Sequence, residues 1–180
     1  MSLAILSTKG IMVDIETLSQ SFNAVVVSIG AVKFNFTEGI IDSFKVNIDA
    51  KSAKAVGLRI DQPTLKWWSE QSQEARDGWM KNPKPIDIHD ALNQFSEWWG
   101  TRKDLMFWGN GGFDSSVLAS AYEACKIDRP WKYWNELALR TVYLMIGYDN
   151  RANREKDGTT YHDSLADATQ QAKTLINLFT

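Results

Sequence analysis

The sequence predicts an α/β domain with a mixed central sheet and flanking helices, on two main observations. Three runs rich in β-branched and aromatic residues follow one another between residues 10 and 48, joined by short Asn/Ser- or Gly-containing links, which is the pattern of an antiparallel meander. From Pro63 onward, segments of helical periodicity alternate with a compact apolar run, so the remainder of the sheet is expected from strands joined by helices. The 180 residues read most simply as one domain, 1–180; at 44% hydrophobic and 23% charged, they are neither disordered nor collagen-like.

Element by element, Gly10 to Glu16, Val25 to Phe34 and Ile40 to Ile48 are the three strands. Pro63 to about Met80 reads as one helix, with Asp61 as its cap and Leu65, Trp68 and Ala75 among its bulky or apolar positions; Asn82-Pro83-Lys84-Pro85 breaks it. Asp87 to Trp99 is a second helix, because Ile88, Ala91, Leu92, Phe95 and Trp99 recur at helical spacing before Gly100. Leu105 to Trp108 has the character of a buried central strand, and Gly109-Asn110-Gly111-Gly112 permits a tight turn into a helix over Asp114 to Cys125. After Pro130 and the aromatic patch Trp131 to Trp134, a helix is expected over Glu136 to Gly147, then a polar loop from Asp149 to Gly158. The last helix runs from about Asp163 to Leu178, with an apolar stripe of Leu165, Ala168, Ala172, Leu175 and Phe179.

Composition bounds the function classes. A single cysteine, Cys125, makes neither an internal disulfide nor a zinc site, which suits a reducing, cytoplasmic compartment. The apolar run within Met1 to Leu6 is too short for a secretory signal or a membrane span, so no membrane partner is expected. A net charge of −2 argues against broad electrostatic capture of duplex nucleic acid, but not against a small site where metal ions bring the positive charge.

Such a site is suggested by Met12-Val13-Asp14-Ile15-Glu16-Thr17. On a strand, side chains at i and i+2 share a face, so Asp14 and Glu16 stand side by side with Val13 and Ile15 packed beneath. Adjacent carboxylates repel unless a cation compensates, and a hard divalent ion such as Mg²⁺ or Mn²⁺ would do so through oxygen ligands. Asp114 lies at the strand-turn-helix junction, where it also reads as a simple helix cap. His162 and Asp167, five residues apart, would diverge by about 140° within one helix. If Asp163 caps the helix, His162 belongs to the preceding loop and can fold towards Asp167, near a carboxylate site, as a general base should.

Taken together, Asp14-x-Glu16, Gly109-Asn110-Gly111-Gly112-Phe113-Asp114, and His162 followed by Asp167 closely resemble the three motifs of the DEDDh (DnaQ-like) 3′-5′ exonuclease superfamily. Thr64-Leu65-x-Trp67-Trp68, with Gln71 and Ala75-Arg76 following, resembles a helix of the branch containing the phage exonuclease A and the mycobacterial-type 3′-5′ exoribonuclease, whose relatives include proteins labelled exodeoxyribonuclease VIII. The resemblance implies a ribonuclease H-like fold, two Mg²⁺ or Mn²⁺ ions, and hydrolysis of single-stranded RNA or DNA 3′ ends to nucleoside 5′-monophosphates. It implies Asp14, Glu16 and Asp167 as ligands of the first ion, Asp14 bridging to the second, Asp114 on the second, and His162 as the base. It further implies Thr17 and Leu18 against the terminal nucleotide, Asn110 and Phe113 in the same pocket, and a stacking face from Trp67 or Trp68. Arg151, Arg154 and Lys156 would meet phosphates or form a solvated loop.

Adjacent helical residues diverge by about 100°, so one of Trp67 and Trp68 belongs to the core, the other to an interface or a nucleobase. The remaining tryptophans read as core or interface residues, a homodimer is plausible, and a phage or prophage origin fits the resemblance. The competing readings are a non-catalytic nucleic-acid-binding module of the same fold and a ribonuclease H-type endonuclease.

Overall fold

A computed structural model describes residues 9–149 and 162–180. Among the described residues one sheet is built from β1 (Gly10–Thr17), β2 (Val26–Asn35), β3 (Gly39–Asn47), β4 (Met106–Gly109) and β5 (Glu136–Ala138), in the order β3-β2-β1-β4-β5. The first three strands pair antiparallel, as their short links require, whereas β4 runs parallel to β1 and β5 parallel to β4. The flanking helices are α1 (Ala50–Ala55), α2 (Gln62–Glu70), α3 (Gln73–Met80), α4 (Ile88–Trp99), α5 (Phe113–Ala124), α6 (Leu139–Ile146) and α7 (Ser164–Asn177).

Both sheet faces are covered, which places β1 at the centre of the molecule. Ile11, Val13 and Ile15 point to one side and join a core with Leu92, Phe95, Trp99, Val117 and Leu118 from α4 and α5. Met12 points to the other side, where Val32, Phe34, Leu139, Ala168, Ala172 and Leu175 pack beneath α6 and α7. By the two-residue period, Asp14 and Glu16 continue the Met12 row and face α7.

The structure corrects three expectations. The helix expected over Pro63 to Met80 is two helices, because Ser72 starts afresh: its Oγ accepts the Ala75 N–H at 3.1 Å. Asp61 sits at the cap position of α2 without capping it; its carboxylate instead takes the Ser19 hydroxyl at 2.5 Å and the Arg59 Nε at 2.6 Å. The helix expected from Glu136 begins only at Leu139, since residues 136–138 pair with β4 as an edge strand. Pairing with a neighbour distant in sequence overrides local periodicity over so short a run.

Candidate active site

The site is assembled where α7 descends on the middle of the sheet. Asp14 lies opposite Gly30 and Glu16 opposite Ser28 in the β1–β2 register, and a register shift follows between Glu16 and Thr17. Gly30 admits α7: a Cβ there would lie 2.1 Å from the Ser164 carbonyl carbon. Beside it a buried polar chain ties the first residue of α7 to the sheet, Ser164 Oγ to Ser28 Oγ at 2.7 Å and Ser28 Oγ donating to Asn47 Oδ1 at 2.8 Å. Asp163 caps α7, its Oδ1 accepting the N–H groups of Leu165 and Ala166, each at 3.1 Å. That docking brings Asp167 to the strand, so that ligand oxygens of Asp14, Glu16 and Asp167 all lie within 4.8 Å of one another.

Asp114 arrives from the other side, in the first turn of α5 after β4. It is not a cap: Gly112 holds that position, and Asp114 is buried, receiving backbone N–H groups of Ile15 and Asn110. Gly109 leaves room for it, since a Cβ there would lie 3.0 Å from Asp114 Oδ2.

Four acids in this space are electrostatically frustrated. Burial first, then the charges of Asp114, Glu16 and Asp167, hold the Asp14 carboxyl well above its usual range. Burial followed by the charges of Asp167, Asp163 and Asp114 pushes Glu16 up to about 8, opposed by Lys45. Burial raises Asp114 to about 6, against the lowering effect of its backbone N–H partners and Arg140. Lys45 is engaged by Asp163 at 2.5 Å. A set of buried and half-buried carboxylates, short of positive charge among the described residues, is a fitting donor set for a hard divalent cation, which prefers oxygen ligands.

His162 lies outside α7, as the capping argument requires, with a left-handed backbone at φ +68°. Its N–H donates to Asp167 Oδ2 at 3.1 Å, and its ring meets that of Trp67 edge-on at 4.7 Å and that of Trp68 at 6.1 Å. The two tryptophans divide as helical geometry demands: Trp68 is 3% exposed and Trp67 40%. Trp68 Nε1 donates to the Thr17 carbonyl at 2.9 Å, fixing the end of the acidic strand.

A cavity of about 530 Å³ opens beside Glu16, lined by Ile15, Thr17, Gln20, Asp61, Pro63, Thr64, Trp67, Trp68 and Phe113. Thr17, Trp67 and Phe113 of the expected pocket are therefore in its wall. Leu18 is a correction: it is 3% exposed and packs in the core, because the chain turns inward after Thr17 and its N–H bonds the Val25 carbonyl at 2.9 Å. Asn110 lies in the β4–α5 turn outside the cavity wall, its carbonyl accepting the Arg140 N–H at 3.0 Å. Sequence reasoning missed Gln20, Asp61, Pro63 and Thr64 in the wall, and Gln171, whose Nε2 donates to Asp14 Oδ1 at 2.8 Å. Gln171 lies one helical turn beyond Asp167, and that spacing was the available signal. Arg151, Arg154 and Lys156 fall outside the described residues. No described helix is long and apolar enough to cross a membrane.

The meander, the alternating second half and the acidic set gathered on the central strand together give a ribonuclease H-like fold that carries a 3′-5′ exonuclease domain. Comparison with known proteins gives the particular family. Residues 9–179 match the 3′-5′ exoribonuclease Rv2179c-like domain, and the chain belongs to that family. It is similar to the protein named exodeoxyribonuclease of Enterobacteria phage T4, 23% identical over 190 residues that cover 87% of this chain and 82% of the phage protein. Among solved structures, the nuclease domain of 3′hExo, a DEDDh family member bound to rAMP, superposes with a TM-score of 0.61 at 16% identity, over 94% of this chain and 90% of that one. Exonuclease I of E. coli in complex with a dT13 oligonucleotide gives a TM-score of 0.70 at 12% identity, over 97% of this chain and 41% of that one.

Proposed function

We propose that this protein is a Mg²⁺- or Mn²⁺-dependent exonuclease that removes nucleoside 5′-monophosphates from the 3′ ends of single-stranded RNA or DNA. The observation that carries this reading is the convergence of Asp14, Glu16 and Asp167 within 4.8 Å, beside a cavity whose wall includes Glu16 and Trp67. Asp14, Glu16 and Asp167 would hold one ion, and Asp114 together with Asp14 would hold a second. When bound, the ions supply the positive charge that acidifies water and stabilises charge developing at phosphorus and on the departing 3′-oxygen.

The chain's own residues do the rest. His162, outside the helix and with its N–H on Asp167, takes the proton of the attacking water. Thr17 and Phe113 hold the terminal nucleotide in the cavity, and Trp67 presents a partly exposed ring for its base.

Purified protein incubated with 5′-labelled single-stranded RNA and DNA, with and without Mg²⁺ or Mn²⁺, tests the proposal. A ladder shortening from the 3′ end, dependent on metal and absent from Asp14→Ala, is expected, and the relative rates rank the two sugars. Internal fragments, or equal cleavage by the Asp14→Ala protein, would overturn it.

A further inference from the structure

We propose that Gln171 is a positioning residue of the metal cluster, fixing the orientation of Asp14 and offering its own amide oxygen to water carried by the ion. This inference rests on the metal-dependent reading above. Gln171 follows Asp167 by four residues on α7, so the two side chains leave the helix about 40° apart and both reach β1. Its Nε2 donates to Asp14 Oδ1 at 2.8 Å, joining groups 157 positions apart in sequence. Ala168 and Ala172, buried on the neighbouring stripe, are small enough to let this part of α7 lie close to the sheet.

The second atom of the same amide makes the assignment more than a packing contact. Gln171 Oε1 is shielded from solvent and has no hydrogen-bond partner among the described residues. A buried carbonyl oxygen next to a cluster of carboxylates has no donor to turn to within the cluster once those acids are ionised. A hard divalent ion retains part of its hydration shell, and that water is a donor of the required kind.

The choice of residue type agrees with such a role. A lysine in place of Gln171 would donate to Asp14 but would neutralise the charge needed to attract an ion, and a glutamate would repel Asp14. A neutral amide orients the carboxylate while leaving the cluster's full negative charge available. Residues that hold a metal ligand in this manner typically change metal affinity or activity by about 10–100-fold when removed.

The test uses Gln171→Met, close in size and unable to make either hydrogen bond, with Gln171→Leu as a second apolar variant. Mn²⁺ binding is measured by calorimetry without nucleic acid, and thermal melting in EDTA. The expected result is Mn²⁺ affinity weaker by on the order of 10–100-fold, melting in EDTA close to that of the original protein, and hydrolysis recovered at high Mn²⁺. Mn²⁺ affinity unchanged in a folded variant would overturn the positioning role alone, as would unfolding of both variants, which would make Gln171 a stability residue. An unsubstituted protein that binds no Mn²⁺ would instead overturn the metal-dependent reading itself.

Discussion

Gly30 and Ser164 approach so closely that a Cβ on Gly30 would sit 2.1 Å from the Ser164 carbonyl carbon and 2.3 Å from its oxygen. Because Gly30 is also the register partner of Asp14, the absence of one side chain on β2 sets how near α7 comes to the acidic strand. The obstruction would be backbone, with no flexible tip to swing aside. Gly30→Ala should therefore destabilise by at least the 1–3 kcal/mol typical of overpacking, about 3–10 °C in melting temperature for a chain of this size. It should also cost most of the nuclease activity, by displacing Asp167. Melting curves with a parallel activity assay check both effects; an unshifted melt with full activity would mean that α7 stands further from the sheet.

The raised carboxylates make a pH prediction whose sign is opposite to the common one. Burial and mutual repulsion hold Glu16 up to about 8 and Asp114 up to about 6, with Asp14 also raised. The folded protein therefore binds more protons than the unfolded chain between the ordinary carboxylate range and these values. The stability from these groups is fully present below their unfolded pKa and is lost as pH rises through their folded pKa. In EDTA the melting temperature should fall from about pH 5 to about pH 8. The lowered groups Asp61, Asp77, Asp87 and Asp104 act at more acid pH and leave that window clear. Added Mn²⁺ should raise the melting temperature most at the alkaline end, where the carboxylates are ionised. A melting temperature in EDTA that rises with pH across this window would contradict the repulsive cluster.

His162→Ala should lower kcat by on the order of 10²–10⁴ while leaving substrate affinity nearly unchanged. The imidazole stands outside α7, tied to the cluster by its own backbone N–H on Asp167, and the substitution keeps that bond. Single-turnover rates and equilibrium binding separate the two quantities. A variant that binds weakly but turns over normally would make His162 a substrate contact.

Parts of this site were readable before any coordinates. Alternation along Met12 to Glu16 placed the acids on one face, and the capping preference of Asp163 placed His162 off the helix. Both are local rules, in which a residue's neighbours in sequence are its neighbours in space. Leu18, Gly30 and Gln171 were not readable in that way. The inward turn of Leu18 depends on its bond to Val25, Gly30 on a helix that begins 134 residues later, and Gln171 on a strand 157 residues earlier. The break between α2 and α3 was within reach, since Ser72 preceding Glu74 is an ordinary helix-start signal. The three-residue β5 carries too little pattern to compete with the helix that follows it.

Trp67 and Trp68 offer the sharpest separation of binding from folding, because neighbouring and chemically identical side chains have opposite surroundings. Trp68 is 3% exposed, meets Trp79 edge-on at 5.6 Å and donates to the Thr17 carbonyl at 2.9 Å. Trp68→Ala should cost about 3–5 kcal/mol, as large aromatic truncations in cores do, and should lower the melting temperature accordingly. Trp67 is 40% exposed and lines the cavity, so Trp67→Ala should leave the melting temperature within a few degrees. Loss of a base-stacking ring, worth about 1–3 kcal/mol, should raise KM by about 5- to 150-fold, with a smaller fall in kcat from the lost contact to the His162 ring. Thermal melts and steady-state kinetics on both variants decide the matter. If Trp67→Ala leaves KM unchanged, the exposed ring does not stack on the nucleotide, and the cavity must hold its occupant through Thr17 and Phe113.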